Sequence, residues 1–152
     1  MQPIDRVLET ILYVDDLDAA ERFYGEVLGL ELDSRKDGLF VFFRCGDGML
    51  LLFEPQAAST GRNVPAHGAN GPGHACFAVA EAELDDWKTR LEASGVAIEQ
   101  EMDWPRGGRS FYFRDPAGNS LELATPKIWG LPEIGGGSRI SAPALGLVPP
   151  KN

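Results

Sequence analysis

The feature that most constrains the fold of this chain is an internal repeat. The segments VLETILYVDDLDAAERFYGEVLGLEL and GPGHACFAVAEAELDDWKTRLEASGVAI carry the same order of signals: an apolar strand, an amphipathic helix, a glycine and further chain with a strand pattern. Two more strands around a glycine-containing turn follow each of them, in LFVFFRCGDGMLLLFE and RSFYFRDPAGNSLELA. A repeat with this order predicts two βαβββ modules.

Capping signals mark both ends of the predicted helices. Asp15 or Asp16 can cap the first helix, while Gly29 and Gly95 stand where a left-handed residue ends each helix. The apolar residues at helical spacing are Leu17, Ala20, Phe23, Val27 and Leu28 in the first copy and Leu84, Trp87 and Leu91 in the second. We therefore expect an α+β protein with a first module at residues 5–54 and a second at 74–126.

Two segments lie outside the repeat. Residues 55–73, PQAASTGRNVPAHGANGPG, are rich in Pro, Gly and Ala and predict a linker. Residues 127–152 are rich in Gly and Pro and show neither a helical nor a strand period, which predicts a C-terminal extension. Such an extension is disordered unless it lies against a surface, for which a partner subunit is one candidate and Ile128, Trp129 and Leu131 are the anchors.

Charge and composition exclude several partners. The chain has 14 Lys and Arg against 23 Asp and Glu, a net charge of -9, so it lacks the basic clusters that bind nucleic acid. No apolar run has the length of a membrane span, and a cytoplasmic protein is expected. Cys45 and Cys76 are too few for a disulfide framework and are expected to be free thiols.

One carboxylate interrupts an otherwise apolar hairpin. Glu122 stands between two leucines in SLEL, and alternation along a strand places it on the face opposite to them. A carboxylate on the inner face of a sheet is costly unless it is paired, and a divalent cation is an effective partner. Glu9 and His74 occupy equivalent positions in the first strands of the two copies.

The segments LYVDDLDAAERFYGEVLGLEL and FYFRDPAGNSLEL, together with the repeat, resemble the vicinal oxygen chelate superfamily, also called the glyoxalase, bleomycin-resistance and dioxygenase family. The resemblance implies mixed sheets that curl into a cup, often completed by a second subunit, so a homodimer is expected. Metal ligands in the enzymes of this family come from the first strand of each module and the last strand of one or both. The matching positions are Glu9, Leu52, His74 and Glu122.

Glu9, His74 and Glu122 can bind a metal, whereas Leu52 cannot. Two carboxylates and an imidazole suit Mn, Fe, Ni, Co or Zn, and they leave coordination positions for two adjacent oxygens of a small-molecule substrate. The resemblance therefore implies Lewis-acid chemistry of an isomerase, lyase or dioxygenase, with Glu9 and Glu122 as catalytic residues. Leu52 argues against glyoxalase I and methylmalonyl-CoA epimerase, which draw a fourth ligand from that strand.

Further residues are candidates for substrate binding. Alignment of the repeats puts Phe40, Phe42, Leu50 and Leu52 on the face that polar residues occupy in the second module, so the cup has an apolar and a polar wall unless these four only fill the core. Arg109 either clamps an anionic group or lies in solvent, and His67 is either a surface residue or an acid or base. The substrate-binding candidates are Tyr13, Phe40, Phe42, Leu52, Arg109, Ser110 and Tyr112.

A metal-free function is the alternative. Bleomycin-resistance proteins bind an aromatic cation without metal, and the acidic charge and the aromatic residues of this chain suit such a role. Ser110 and Tyr112 match anion-contacting positions of fosfomycin-resistance thiol transferases. Those enzymes carry His and Thr where this chain has Glu9 and Ile11, so fosfomycin resistance is not expected.

Overall fold

The computed structural model describes residues 1, 3–60 and 63–134. The first module comprises β1 (Glu9–Tyr13), α1 (Leu17–Arg22), β2 (Glu31–Lys36), β3 (Phe40–Cys45) and β4 (Gly48–Phe53), and α1 continues as a π-helical turn over Phe23–Val27. A short helix, α2 (Pro55–Ser59), follows. The second module comprises β5 (His74–Ala78), α3 (Leu84–Ala93), β6 (Gln100–Asp103), β7 (Arg109–Arg114) and β8 (Ser120–Ala124), with 3₁₀ turns at Glu81–Glu83 and Pro126–Trp129.

Each module forms its own four-stranded mixed sheet. The strand orders are β1-β4-β3-β2 and β5-β8-β7-β6. In each sheet the pair formed by the first and last strands of the module is parallel, and the other pairs are antiparallel. The predicted α+β fold, two βαβββ modules with curled mixed sheets, is confirmed.

The capping signals act as the sequence predicts. The carboxylate of Asp16 accepts a hydrogen bond from the backbone N–H of Ala19 at 2.9 Å, which satisfies a free donor in the first turn of α1. Gly29 and Gly95 follow the two long helical segments with φ of 75° and 78°, a conformation that strains any residue with a Cβ atom.

One hydrophobic core joins the two modules. The helix-facing side chains of both sheets pack around the helices in a single cluster, which includes Leu12, Val14, Val41, Phe43, Leu50 and Leu52 from the first sheet and Phe111, Phe113, Leu121 and Leu123 from the second. The side of each sheet that faces away from this core is called its open face below. The first open face belongs to β1, β4 and β3, and the second to β5, β8 and β7.

A buried polar network fixes the modules to each other. The Tyr24 hydroxyl donates to Asp115 Oδ2 at 2.8 Å, and the Asn119 side-chain amide donates to the same oxygen at 2.8 Å and to the carbonyl of Tyr13 at 3.0 Å. The backbone N–H of Gly73 donates to Asn119 Oδ1 at 2.7 Å. Burial, reinforced by the charge of Asp115, raises the pKa of Tyr24, so this phenol stays protonated.

The structure corrects the alignment of the repeats. Arg44 and Arg114 occupy equivalent positions before the turns of the two modules. Counted from each arginine, its partner on the next strand comes one residue later in the second module, because the turn there occupies residues 115–119. The counterpart of Glu122 is therefore Leu51, and the predicted equivalence of Leu52 with Glu122 is wrong. A shift of one residue exchanges the two faces of a strand, so Leu52 lies fully buried in the shared core and does not line a pocket.

The segments outside the repeat contain local structure. Pro55 begins α2, whose first turn is capped by the carboxylate of Glu54, within the predicted linker. Of the expected anchors in the C-terminal extension, Ile128 is buried, whereas Trp129 and Leu131 are exposed. Residues 135–152 of that extension lie outside the described residues. Among the residues described, none belongs to a helix long and apolar enough to cross a membrane.

Candidate metal centre

The strand register arranges the second open face in three rows, each with one side chain from β5, β8 and β7. The first row is His74, Ser120 and Arg114; the middle row is Cys76, Glu122 and Tyr112; the third row is Ala78, Ala124 and Ser110.

Glu122 is a buried carboxylate with an unsatisfied oxygen. Its side chain is 6% exposed, and Glu122 Oε1 has no hydrogen-bond partner. Its neighbours along the strand, Leu121 and Leu123, point into the shared core, as the alternation predicts. A buried oxygen without a partner costs free energy, and a cation bound beside Oε1 would satisfy it.

His74 directs a lone pair towards that carboxylate. Its Nδ1 lies 3.0 Å from the backbone carbonyl of Ser120, and because a carbonyl only accepts, Nδ1 is the donor in this pair; in the neutral tautomer with this proton, Nε2 is the acceptor. This Nε2 lies 3.6 Å from Glu122 Oε2. Two acceptors that face each other at this distance form a ligand pair for a cation, and the bond at Nδ1 orients the ring as in metal-binding histidines.

Cys76 and Tyr112 flank Glu122 on the neighbouring strands. Cys76 is exposed at its outer side, and partial desolvation of its thiol, followed by the charge of Glu122 and a hydrogen bond to it, raises the pKa of this thiol. Burial and then the nearby Glu122 carboxylate also raise the pKa of Tyr112. The Tyr112 ring lies over that of His74, with centroids 6.2 Å apart. At neutral pH both groups are protonated and neutral, so neither neutralises the carboxylate.

Glu9, the third predicted ligand, lies on the first open face of the same chain. It is exposed and occupies the first position of β1, as His74 does in β5. Within residues 1, 3–60 and 63–134, no three His, Cys, Asp or Glu side chains form a group that could hold a metal ion. The chain thus brings His74 and Glu122 together and leaves Glu9 apart from them.

The first open face repeats the three rows with a different chemistry. From β1, β4 and β3, the first row is Glu9, Met49 and Arg44; the middle row is Ile11, Leu51 and Phe42; the third row is Tyr13, Phe53 and Phe40. The rings of Phe40 and Phe42 are stacked, with centroids 4.0 Å apart. This face is therefore apolar and aromatic except at its first row and at Tyr13.

His67 lies against the first open face, and the sequence around it did not predict this position. Its Nδ1 lies 2.8 Å from the Tyr13 hydroxyl, and its ring packs edge-on against Phe53 with centroids 4.7 Å apart. The backbone N–H of His67 donates to the carbonyl of Ala58 at the end of α2. Residues 63–70 show no helical or strand periodicity from which this position could be predicted. A single histidine among Pro and Gly residues was the one sign in the sequence that this segment has a role.

Arg109 lies on the helix side of its sheet and not on the open face that holds Glu122, so a contact of Arg109 with substrate stays a prediction. It alternates with Ser110 and shares its side with the core residue Phe111. Its guanidinium donates to Asp85 of α3 at 2.9 Å and lies 3.8 Å from Glu81. A cavity of about 400 Å³ next to it is lined by acidic and basic side chains, and Glu122 is not among its lining residues.

Ser110 lies at the end of the second open face. It is buried, and its hydroxyl accepts a hydrogen bond from Trp104 Nε1 at 2.8 Å. This bond holds the indole of Trp104 against the third row. A contact of Ser110 with substrate stays a prediction, and the alternation of Ser110 and Tyr112 with core residues agrees with the sequence pattern.

Several known proteins are similar to this chain in sequence and in fold. A family model described as the Glyoxalase/Bleomycin resistance protein/Dioxygenase superfamily matches residues 4–123. The glutathione transferase FosA of Serratia marcescens is 36% identical over 112 residues, 74% of each chain. The solved structure of lactoylglutathione lyase from Agrobacterium tumefaciens is 50% identical, with a TM-score of 0.83 over 86% of this chain and 100% of that one. A glyoxalase/bleomycin resistance protein/dioxygenase from Nocardioides is 26% identical, with a TM-score of 0.66 over 91% and 90%.

Proposed function

Because this chain belongs to the Glyoxalase/Bleomycin resistance protein/Dioxygenase superfamily, we propose that it is a metal-dependent enzyme that acts on a small molecule with two adjacent oxygen atoms. The reaction class is that of an isomerase, a lyase or a dioxygenase. The observation that carries this proposal is the buried Glu122 carboxylate, which has one unpartnered oxygen, Oε1, and the other, Oε2, 3.6 Å from His74 Nε2. In a metal-free binding protein, such a carboxylate would lower stability without a compensating role.

The donor set favours a borderline divalent ion. One imidazole nitrogen and carboxylate oxygens suit Mn, Fe, Ni, Co or Zn, whereas Mg would prefer oxygens alone. When bound, the ion would supply Lewis-acid polarisation of the two substrate oxygens. His74 and Glu122 are the two ligands from one chain, and the protonated Tyr112 lies beside the Glu122 carboxylate.

We assign the third ligand position to Glu9 of a second copy of the chain. β1 and β5 end the order of their sheets, so each has one edge without a strand partner among the described residues. Ahead of β1, the apolar residues Ile4, Val7 and Leu8 are exposed, as expected of a surface that a partner covers. If β1 of one copy lies beside β5 of the other, Glu9 meets the row that contains His74. The two open faces then form one cup, and Glu9 and Glu122 are both available for proton transfer.

Among these reaction classes, the name of the Agrobacterium tumefaciens relative, a lactoylglutathione lyase, supports a lyase. The Serratia marcescens relative is named a glutathione transferase, so both names contain glutathione. Ile11 lies in the apolar middle row of this chain. The substrate is therefore expected to present an apolar group beside its chelating oxygens.

Metal titration of the purified, metal-free protein tests the function. Calorimetric titration with Ni²⁺ and Zn²⁺ should give about one ion per chain. Glu122→Gln should lower the metal affinity by about 100-fold or more. Mutation of a residue that only hydrogen-bonds to a metal ligand already lowers metal affinity by about 10- to 100-fold, and Glu122 is itself a proposed ligand. Glu31→Gln, which removes an exposed strand carboxylate on β2, is the matched control and should leave the affinity unchanged.

A negative titration would support the alternative function. If Glu122→Gln binds metal as well as the wild type does, the site is elsewhere. If the wild type binds no ion, and an aromatic cation binds it equally well with and without chelator, a metal-free sequestering protein replaces the enzyme. The aromatic first open face and the net charge of -9 are the features that such a protein would use.

A further inference from the structure

The first open face has a polar group at each end and an apolar middle. The three rows run along β1 from Glu9, through Ile11, to Tyr13. With a rise of about 3.3 Å per residue, Tyr13 lies about 13 Å along the strand from Glu9. Between these ends, Leu51 and Phe42 complete the apolar middle row. A ligand whose chelating head lies near Glu9 therefore has to cross an apolar surface before it reaches another polar side chain of β1.

His67 fixes the Tyr13 hydroxyl in place. The hydrogen bond of 2.8 Å between Tyr13 Oη and His67 Nδ1 holds the phenol, while the edge-on packing on Phe53 and the backbone bond to Ala58 hold the imidazole. The hydroxyl oxygen can make a further hydrogen bond whichever partner donates in this pair. Tyr13 is half-buried, so its oxygen is held and yet within reach of a ligand on this face.

The aromatic rings beside Tyr13 suit a planar group. Phe40 and Phe42 are stacked at 4.0 Å, and Phe53 contacts both of them edge-on, at 5.9 and 5.2 Å. Phe40 and Phe42 are partly exposed, whereas Phe53 and Leu51 beneath them are buried. Fixed aromatic faces and edges of this kind bind aromatic or extended alkyl groups in preference to charged ones.

We propose that Tyr13, positioned by His67, determines substrate specificity by hydrogen-bonding a polar group at the far end of an elongated substrate whose apolar, planar middle lies on Phe42 and Phe40. The proposal rests on the proposed function, because it places the chelating head at the metal centre beside Glu9. It assigns a substrate class: a molecule with vicinal oxygens at one end, an aromatic or alkyl body, and a hydroxyl or carbonyl at the other end.

A set of hydroxamates separates the head, the body and the tail of such a substrate. Acetohydroxamate carries only the chelating head. A biphenyl hydroxamate adds the planar body, and the same compound with a terminal hydroxyl adds the polar tail. A single-ring hydroxamate with a para hydroxyl is too short to reach Tyr13. Dissociation constants are measured by calorimetry for the Ni²⁺-loaded wild type, Tyr13→Phe, His67→Ala and Phe42→Ala.

The expected pattern is specific to each variant. In the wild type, the terminal hydroxyl should tighten binding of the biphenyl compound by roughly 3- to 10-fold, the worth of one net hydrogen bond, and should give no gain on the single ring. Tyr13→Phe should abolish this gain without weakening the unsubstituted biphenyl compound. His67→Ala should reduce the gain, because it releases the phenol, while Phe42→Ala should weaken both biphenyl compounds equally.

Two other results have separate meanings. If acetohydroxamate binds the metal-loaded protein but the hydroxyl gives the same gain in Tyr13→Phe as in the wild type, or none in either, the role of Tyr13 is overturned and the metal centre stands. If acetohydroxamate itself fails to bind, the proposed function is overturned, and the role of Tyr13 with it.

Discussion

The two open faces occupy equivalent positions in the two repeated modules and differ in nearly every side chain. The middle row of the second face is Cys76, Glu122 and Tyr112, and the corresponding row of the first face is Ile11, Leu51 and Phe42. The two modules share one backbone arrangement, and different side chains give their open faces different chemical properties. One face holds a buried carboxylate at its centre, and the other is apolar and aromatic there.

The shared core explains why the two faces are separated within one chain. Both sheets direct their helix sides into one cluster, so the open faces are left to meet another molecule. The unpartnered Glu122 oxygen on one face and the isolated Glu9 on the other are complementary deficits. A second copy that joins unlike faces would place both carboxylates beside one bound cation.

The largest expected effect distinguishes the two sides of β4. Leu52→Glu should destabilise the protein by about 4 kcal/mol or more, since it buries an unpaired charge in the shared core. Leu51→Glu places the same group on the open face, at the position equivalent to Glu122, and should cost at least about 2 kcal/mol less. Urea unfolding curves of both variants measure the difference, and equal losses would show that the corrected register is wrong.

A smaller loss is expected at the junction of the modules. Tyr24→Phe removes a hydrogen bond to the buried Asp115 carboxylate and should cost about 1.5–3 kcal/mol in the free energy of unfolding. The pKa of Tyr24 is raised above its ordinary value of 10.0 in the folded state, so its contribution is complete below pH 10 and declines above it as the unfolded chain loses the proton.

The pH dependence gives this prediction its control. The stability difference between wild type and Tyr24→Phe, measured by urea unfolding, should be constant from pH 7 to about pH 9.5 and should narrow at higher pH. A difference that widens with pH would contradict the assignment of a protonated, buried phenol at this junction.

Glu122→Gln should stabilise the metal-free protein. The amide is neutral and can donate to His74 Nε2, so the variant should gain about 1 kcal/mol over the metal-free wild type. Added Ni²⁺ should reverse the order, because only the wild type gains stability from binding. Thermal unfolding with and without metal measures both effects. A variant that is less stable than the wild type without metal would mean that the carboxylate has a protein partner.

The smallest effect is expected from Arg109. Its guanidinium is part of a partly exposed ion pair with Asp85, so Arg109→Ala should change stability by less than about 1 kcal/mol. The Ni²⁺ and acetohydroxamate affinities should not change, since the side chain lies on the helix side of β7. A loss of hydroxamate binding would return Arg109 to the substrate site, as its place in the sequence had suggested.

The fold could be predicted from the sequence because the repeat, the caps and the apolar periods agree with one another. The leucines beside Glu122 likewise revealed its face, since alternation within one strand needs no knowledge of its neighbours. The error at Leu52 concerned the alignment of one strand with the next. The turn of the second module is longer by one residue, which shifts the register of its last two strands, and this shift is seen only in the strand pairing of the structure.

Two other features depend on tertiary contacts. Arg109 begins β7 directly after a glycine-rich turn, and its ion pair with α3 links residues 24 positions apart. His67 follows no period, and its role arises from Tyr13, 54 positions away. Neither contact has a local sequence signal. The sequence therefore left two roles open for each residue: an anion clamp or a solvent-exposed residue for Arg109, and an acid or base or a surface residue for His67.

The most direct test of a cup built from unlike faces is the metal content of a mixed dimer. Glu9→Ala and His74→Ala chains, each with a different removable tag, are co-expressed, and the hybrid is isolated by two affinity steps before the tags are removed. If the ligands come from two copies, the hybrid has one intact site, formed by Glu9 of the His74→Ala chain with His74 and Glu122 of the other. The account predicts about half the wild-type nickel content per chain in the hybrid, and little in either homodimer. A hybrid as empty as its parents, or the absence of any hybrid, would contradict it.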